Sequence, residues 1–264
     1  MPTTQPGDAT ALAAQAAADG FDVVVAAGGD GTLNEAVNGL APSLLRGNPV
    51  RFGALPLGTA NVFALEHRLP LNLAEAWQVV LDGRERAIDL GRASYQTPEG
   101  EVTRYFLQLA GAGLDAHAVY LLNWRLKKRL GKAAYVLAAL QAWFKSRDRI
   151  EVCLGAQRFP ARWALVGNGA YYAGKYRLFP RAQTDDGQLD VCLFERLDVF
   201  FVLRCWLRLL RGAPLDLPGV GHLQGASVAI RSDPGAHLEL DGEYAGTLPA
   251  TFSVQPKALR LICP

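Results

Sequence analysis

The 264-residue sequence predicts a three-layer α/β domain followed by an antiparallel β-sandwich. Three observations carry this reading. Short apolar runs alternate with helix-like segments up to Gly83. One alternation turns through a glycine-rich pentapeptide, Gly28-Gly29-Asp30-Gly31-Thr32. Beyond Arg84 the pattern changes to strand-like runs parted by turn residues. The first domain is expected at residues 1–90 and the second at 91–264, with the last strand returning to the first domain.

Residues 8–19 are alanine-rich and helical, with Gly20 as the stop. The apolar run 21–27 reads as a buried strand, 32–40 as a helix and 50–55 as a second strand. The loop after Gly58 opens a helix toward His67 that Pro70 interrupts. Asn72 caps a helix through Asp82, and Gly83 ends it. In the second half, 87–90, 104–109, 150–154, 161–167, 189–194, 226–231, 237–240, 251–254 and 259–263 are strand-like. There is no internal repeat, and no low-complexity tract beyond the alanines at 11–18.

Composition fits a soluble enzyme. Half of the residues are hydrophobic and the net charge is only +2, a balance unlike that of a nucleic-acid binder. The four cysteines, Cys153, Cys192, Cys205 and Cys263, are scattered without metal-ligand spacing and read as reduced thiols in a cytoplasmic protein. The histidines show no such spacing either. The N-terminus is polar, unlike a signal peptide, and no uncharged apolar run is long enough to span a bilayer.

A strand, a glycine-rich turn and a helix together form a phosphate-holding unit. Glycines let the backbone approach an anion, and the helix N-terminus adds positive potential. Asp30 would repel a phosphate, so a carboxylate there suits a metal ion or a proton. The same pentapeptide also reads as a tight turn in which Asp caps a helix. In the loop 55–61, Leu-Pro-Leu-Gly-Thr-Ala-Asn, Gly58 permits close approach while Thr59 and Asn61 can donate to phosphate or ribose oxygens.

The segment GGDGTLNEAVNGL at 28–40 resembles the signature of the diacylglycerol kinase and sphingosine kinase superfamily; NAD kinases share its GGDGT core. Four further segments follow in register. PLGTAN at 56–61 resembles the second nucleotide-side loop, and GAGLDA at 111–116 the GxGxDA element. DDGQLD at 185–190 resembles the DDGxLD segment, and Asp241-Gly242-Glu243 the late DGE motif. The PLGTAN loop favours the lipid-kinase branch.

The resemblance implies a Rossmann-like domain of the NAD kinase/diacylglycerol kinase type plus an all-β sandwich. It implies an ATP-dependent lipid kinase that transfers the γ-phosphate to a lipid hydroxyl, with Mg²⁺ as cofactor. Nucleotide would bind on Gly28, Gly29, Asp30, Gly31, Thr32, Gly58, Thr59 and Asn61. Asp241 would be the base, supported by Glu243. In sphingosine kinase-like members the GGDG aspartate, here Asp30, is itself proposed as the base. Asp115 would join the metal–nucleotide network, and Asp185, Asp186 and Asp190 have hard oxygen ligands suited to Mg²⁺. Taken alone, Asp-Gly is a hairpin turn and 185–190 a solvated turn. Many family members carry Asp after the Asn and an Arg three positions on; Val62 and Leu65 stand there, and Glu66 beyond them reads as a solvated helix residue.

The implied partners are ATP and a lipid met at the membrane surface, without nucleic acid, in a cytoplasmic protein peripheral to the membrane; a homodimer is compatible. Two stretches could reach lipid. The segment 124–132 is basic with apolar interleaving, and 197–211 places Arg204, Arg208 and Arg211 at helical spacing among large apolar residues. Family members begin with a further strand and an NPxSG-like loop that this sequence does not show, which predicts a weak nucleotide site. The alternatives are a NAD kinase-like enzyme acting on a soluble substrate and a degenerate nucleotide- or lipid-binding protein.

Overall fold

Alanine and glycine set the first packing contact. Helix α1 (Asp8–Ala18) buries Ala9, Ala13 and Ala17. It lies so close to α2 (Asp30–Leu44) that a Cβ on Gly39 would come 2.2 Å from the Thr10 carbonyl oxygen. The computed structural model describes residues 1–48, 50–122, 132–145, 148–232 and 235–264. In chain order β1 (Val23–Gly28) follows α1 and precedes α2, and it runs parallel to β2 (Arg51–Pro56) from Val23↔Arg51 to Gly28↔Pro56. Helix α2 continues past the expected end at residue 40 and through Pro42, because Ala41 and Ser43 still face the core. Short α3 (Val62–Glu66) and α4 (Leu73–Asp82) complete this layer; the Asn72 side chain accepts from Ala74 N and Glu75 N as the sequence predicts.

Strand β3 (Arg84–Thr97) is much longer than the expected 87–90, and it leads into β4 (Gly100–Phe106) and β5 (Leu109–Ala112). Helices α5 (Leu114–Leu121) and α6 (Lys132–Lys145) follow, then β6 (Ile150–Leu154), β7 (Gln157–Ala161) and β8 (Trp163–Gly167). The expected single strand 161–167 is therefore broken at Arg162, whose N–H donates to the Phe194 carbonyl. Beyond a small β9 (Tyr171–Tyr172) and β10 (Tyr176–Arg177) come β11 (Leu189–Phe194), α7 (Val199–Leu210), β12 (Val220–Gly225) and β13 (Ser227–Ser232). The chain ends with β14 (His237–Leu240), β15 (Glu243–Thr247) and β16 (Ala250–Cys263). The basic stretch expected at 124–132 lies almost entirely outside the described residues.

One sheet runs through both halves, in the order β1-β2-β16-β13-β6-β7, with β3 and β4 alongside β16. The C-terminal end of β16 is parallel to β2, with Arg260↔Arg51 and Leu261↔Phe52; its N-terminal end is antiparallel to β13. The last strand thus reaches the first layer. On β3, Leu90 belongs to the α/β core with Leu40, Phe52 and Leu261. Three residues on, Ala93 belongs to the sandwich core with Phe106, Val166 and Phe252. The second sheet, β12-β11-β8-β5-β14-β15, packs over the sandwich half.

Candidate functional site

The ends of β1 and β2 bring two glycine turns into contact. Leu57 N–H donates to the Gly28 carbonyl at 2.8 Å, so the strands stay zipped to their last residues. A Cβ on Gly58 would lie 2.5 Å from Gly29 Cα and 2.7 Å from Asn61 Oδ1. Thr32 packs its side chain over Gly28, which likewise has no room for a Cβ. Asn61 adopts a left-handed conformation (φ 50°), and its side chain closes the loop: Oδ1 accepts from Gly58 N at 2.8 Å and Nδ2 donates to Gly58 O at 3.0 Å. Thr59 is exposed at the tip. Asp30, first residue of the fifteen-residue α2, accepts from Phe63 N at 3.0 Å through Oδ1, which ties the GGDGT turn to the GTAN loop. The two segments therefore form one cradle of backbone and small polar groups at a helix N-terminus, suited to an anion.

The DGE turn closes on this cradle from the other sheet. A Cβ on Gly31 would sit 3.2 Å from Glu243 Oε1, and Glu243 pairs through its other oxygen with Arg104 at 3.1 Å. Asp241, at φ 48°, has its carboxylate surrounded by donors. Oδ1 accepts from Gln108 N and Leu109 N, both at 2.9 Å; Oδ2 accepts from Leu107 N and Asn34 Nδ2, both at 2.7 Å. Burial raises the Asp241 pKa, and the four N–H donors pull against that rise. Asn34 and Asn38 of α2 also clasp β4: both amides donate to the Tyr105 carbonyl, and Tyr105 N donates to Asn38 Oδ1 at 2.9 Å. Asn34, Asn38 and Arg104 were not singled out from sequence. An asparagine pair four apart on one face of α2 is the signal that was available.

The other acidic residues stand apart. Asp115, in the first turn of α5, accepts from the Tyr172 hydroxyl at 2.8 Å; burial pushes its pKa up to about 6. Nearby Glu239, wholly buried on β14, takes Gly242 N at 2.7 Å and is raised well above the usual carboxylate range by burial and then by Asp115. Asp185 pairs with Arg86 at 2.8 Å, while Asp186 accepts from Gln188 N at 3.0 Å. Asp190 lies on β11, and burial pushes it up to about 6. The structure thus does not gather Asp115 with the 185–190 run. Among the described residues, no three His, Cys, Asp or Glu side chains converge on a cation cage.

Two further carboxylates matter more than their sequence context suggested. Asp89, fully buried between Ile88 and Leu90, accepts from Gly187 N and Lys257 N, both at 2.7 Å, and so pins the 185–190 loop to the bulge in β16. A lone acid inside an apolar strand was its signal. Glu66 is no solvated helix residue: it accepts from Ala170 N at 2.7 Å, and burial raises its pKa.

A pH effect follows from Asp115. Its folded pKa stands above the reference value of 3.8, so the folded state holds a proton that the unfolded chain releases. The stability it contributes is complete below that value and is lost as pH rises through about 6; Glu239 acts in the same direction. Asp115→Asn is expected to flatten the pH dependence of urea-unfolding stability between about pH 4 and 6. An unchanged slope in the variant would contradict the assignment.

Residues 1–93 match the diacylglycerol kinase catalytic domain, and residues 108–263 match the YegS C-terminal NAD kinase beta sandwich-like domain. The chain is 32% identical over 266 residues to the diacylglycerol kinase of Bacillus subtilis, covering 99% of this chain and 84% of that one. The chain belongs to the diacylglycerol kinase family. The family's enzymes are ATP-dependent kinases, and so is this member. A crystal structure of a putative diacylglycerol kinase from Bacillus anthracis superposes with a TM-score of 0.80 at 25% identity, covering 99% of this chain and 83% of that one. Yeast NADH kinase complexed with NADH shares the fold alone, with a TM-score of 0.51 at 11% identity over 91% of this chain and 60% of that one. Both domains expected from sequence, the α/β layer and the sandwich, are those of the diacylglycerol kinase fold.

Proposed function

We propose that this chain phosphorylates a lipid hydroxyl of the diacylglycerol class, working at a membrane surface with ATP as donor. The observation that carries this reading is the meeting of the GGDGT, GTAN and DGE turns at the junction of the two sheets. The phosphates lie against Gly28, Gly29, Gly31 and Gly58, with the α2 N-terminus, Thr32, Thr59 and Asn61 as further donors. Mg²⁺ enters with the nucleotide as part of the substrate. A phosphate-borne Mg²⁺ needs only one or two protein carboxylates, and Asp30, whose Oδ1 alone is engaged among the described residues, fits that role without a cage. Asp115, Asp185, Asp186 and Asp190 are outer acids that act through the fold rather than on the phosphates.

The lipid hydroxyl gives its proton to Asp241 as its oxygen forms the bond to the γ-phosphorus; the ADP oxygen leaves with the electron pair of the broken bond. All four lone-pair directions of Asp241 are occupied here. Three donors are backbone N–H groups fixed by the crossing at 107–109; the fourth, the Asn34 amide, is the one side-chain donor, and it is the group that must give way for the hydroxyl to reach Oδ2. Glu243, paired with Arg104, supports this turn. The raised pKa of Asp241 makes it a stronger proton acceptor than an exposed carboxylate.

The test is phosphate transfer from labelled ATP to diacylglycerol, sphingosine and NAD presented in parallel. Label in phosphatidic acid, dependent on Mg²⁺ and abolished by chelation, is the expected result. Label in NADP instead, or nucleotide binding without transfer to any acceptor, would overturn the reading.

A further inference from the structure

Helix α7 turns an apolar face outward. It seats Phe201, Cys205 and Leu209 in the core beneath the second sheet, with Phe194 and Leu215. The opposite face should be polar in a helix packed on a globular core. It instead carries Val199, Phe200, Leu203, Leu207 and Leu210, with Phe200 76% exposed. At 100° per residue these five side chains form one stripe, directly opposite the buried one. Arg204, Arg208 and Arg211 run along one edge of it. None of the ion pairs among the described residues involves these arginines. The helix is anchored at its start: Asp198 caps it through Phe201 N at 3.1 Å, and Trp143 Nε1 of α6 donates to the Leu197 carbonyl at 2.6 Å. The next residue of α6, Phe144, is itself 73% exposed.

We infer that this face of α7 docks the kinase on an anionic bilayer, lying in the headgroup plane with its apolar stripe among the acyl chains and its arginines on lipid phosphates. Charge decides for lipid. An apolar stripe with a cationic edge is the pattern that anionic interfaces hold. A second copy of this chain fits poorly on two counts. A twofold contact would set the same arginines near one another. A twelve-residue helix spans only about 18 Å, so a stripe roughly 10 Å wide offers on the order of 180 Å², against the about 800 Å² per partner of stable protein interfaces. No described helix is long and apolar enough to cross the membrane, so the contact is a surface one. The inference gives the proposed lipid-kinase reading its route to substrate.

The experiment is cosedimentation of the 264-residue protein with vesicles of phosphatidylcholine, with and without phosphatidylglycerol. The parent is expected to bind the phosphatidylglycerol vesicles. Phe200→Glu with Leu203→Glu should reduce that partitioning by at least about tenfold. Arg204→Gln with Arg211→Gln should reduce it by roughly tenfold and weaken its dependence on salt. Near-ultraviolet circular dichroism checks that both variants fold. Absence of vesicle binding by the parent, or parent-like binding by either variant, would overturn the inference. So would a parent dimer that the Phe200/Leu203 variant alone dissolves. Phosphorylation of micellar diacylglycerol is measured separately: vesicle binding that behaves as stated without lipid turnover would sink the kinase substrate reading and leave the docking surface standing.

Discussion

Asp241→Asn is expected to lower turnover by about two to four decades, as loss of a proton acceptor does, and also to destabilise the protein. The second effect distinguishes this carboxylate from an ordinary surface base. Four N–H groups at 2.7–2.9 Å converge on it, and an amide can present only one oxygen to them. Its NH₂ would face donors, leaving two of them unpaired. Hydrogen bonds to a charged group are worth about 1.5–3 kcal/mol each, so with two donors unpaired a loss of roughly 3–6 kcal/mol in unfolding free energy is the expected scale. Asn34→Ala is the companion. It removes the side-chain donor to Asp241 together with that amide's bonds to the Tyr105 carbonyl and to Asn38, so it should cost about 1–3 kcal/mol of stability while holding turnover within tenfold of the parent. Thermal unfolding and steady-state kinetics on the same preparations check both variants. Near-parent turnover in Asp241→Asn would remove it as the base, whereas full stability there would show that the four donors are not held in solution.

Gly58→Ala is expected to weaken ATP binding by about ten- to a hundredfold, the equivalent of roughly 1–3 kcal/mol of overpacking. The new methyl group would stand 2.5 Å from Gly29 Cα and 2.7 Å from Asn61 Oδ1. The first is backbone. The second is the acceptor that holds the loop closed, so neither can retreat without opening the cradle. Gly29→Ala meets Gly58 Cα at a looser 3.1 Å and should cost less. Calorimetric titration with a non-hydrolysable ATP analogue, alongside circular dichroism, ranks the two variants. Equal, undiminished affinity in both would show that nucleotide does not use this contact.

Much of the α/β layer was legible because its units are local. β1, the glycine turn and α2 lie within one continuous stretch, and the type of each follows from apolar periodicity and from which residues tolerate a tight turn. Asn72 could be read as a cap for the same reason: the N–H groups that donate to its side chain lie two and three residues away. Where expectation and structure part, the cause is a neighbour distant in sequence. β3 runs on to Thr97 because β16 and then β4 pair with it along its length. Strands 157–161 and 163–167 separate at Arg162 because that residue bonds to Phe194. Glu66 reads as solvated until Ala170, 104 positions later, donates to it.

The alternation of elements, the two glycine turns and the carboxylates in the GGDGT and DGE turns can be read along the chain, since each depends on residues a few positions apart. What those groups meet is set by the assembled fold. Asp241 accepts from Asn34 across 207 positions and from Leu107 across 134. Helical spacing likewise predicts an amphipathic segment at 197–211, but which side faces water depends on the core that receives Phe201, Cys205 and Leu209. Local pattern follows from backbone stereochemistry and side-chain periodicity. Partners distant along the chain are chosen by the packing of whole layers, in which a single contact is settled by the many around it.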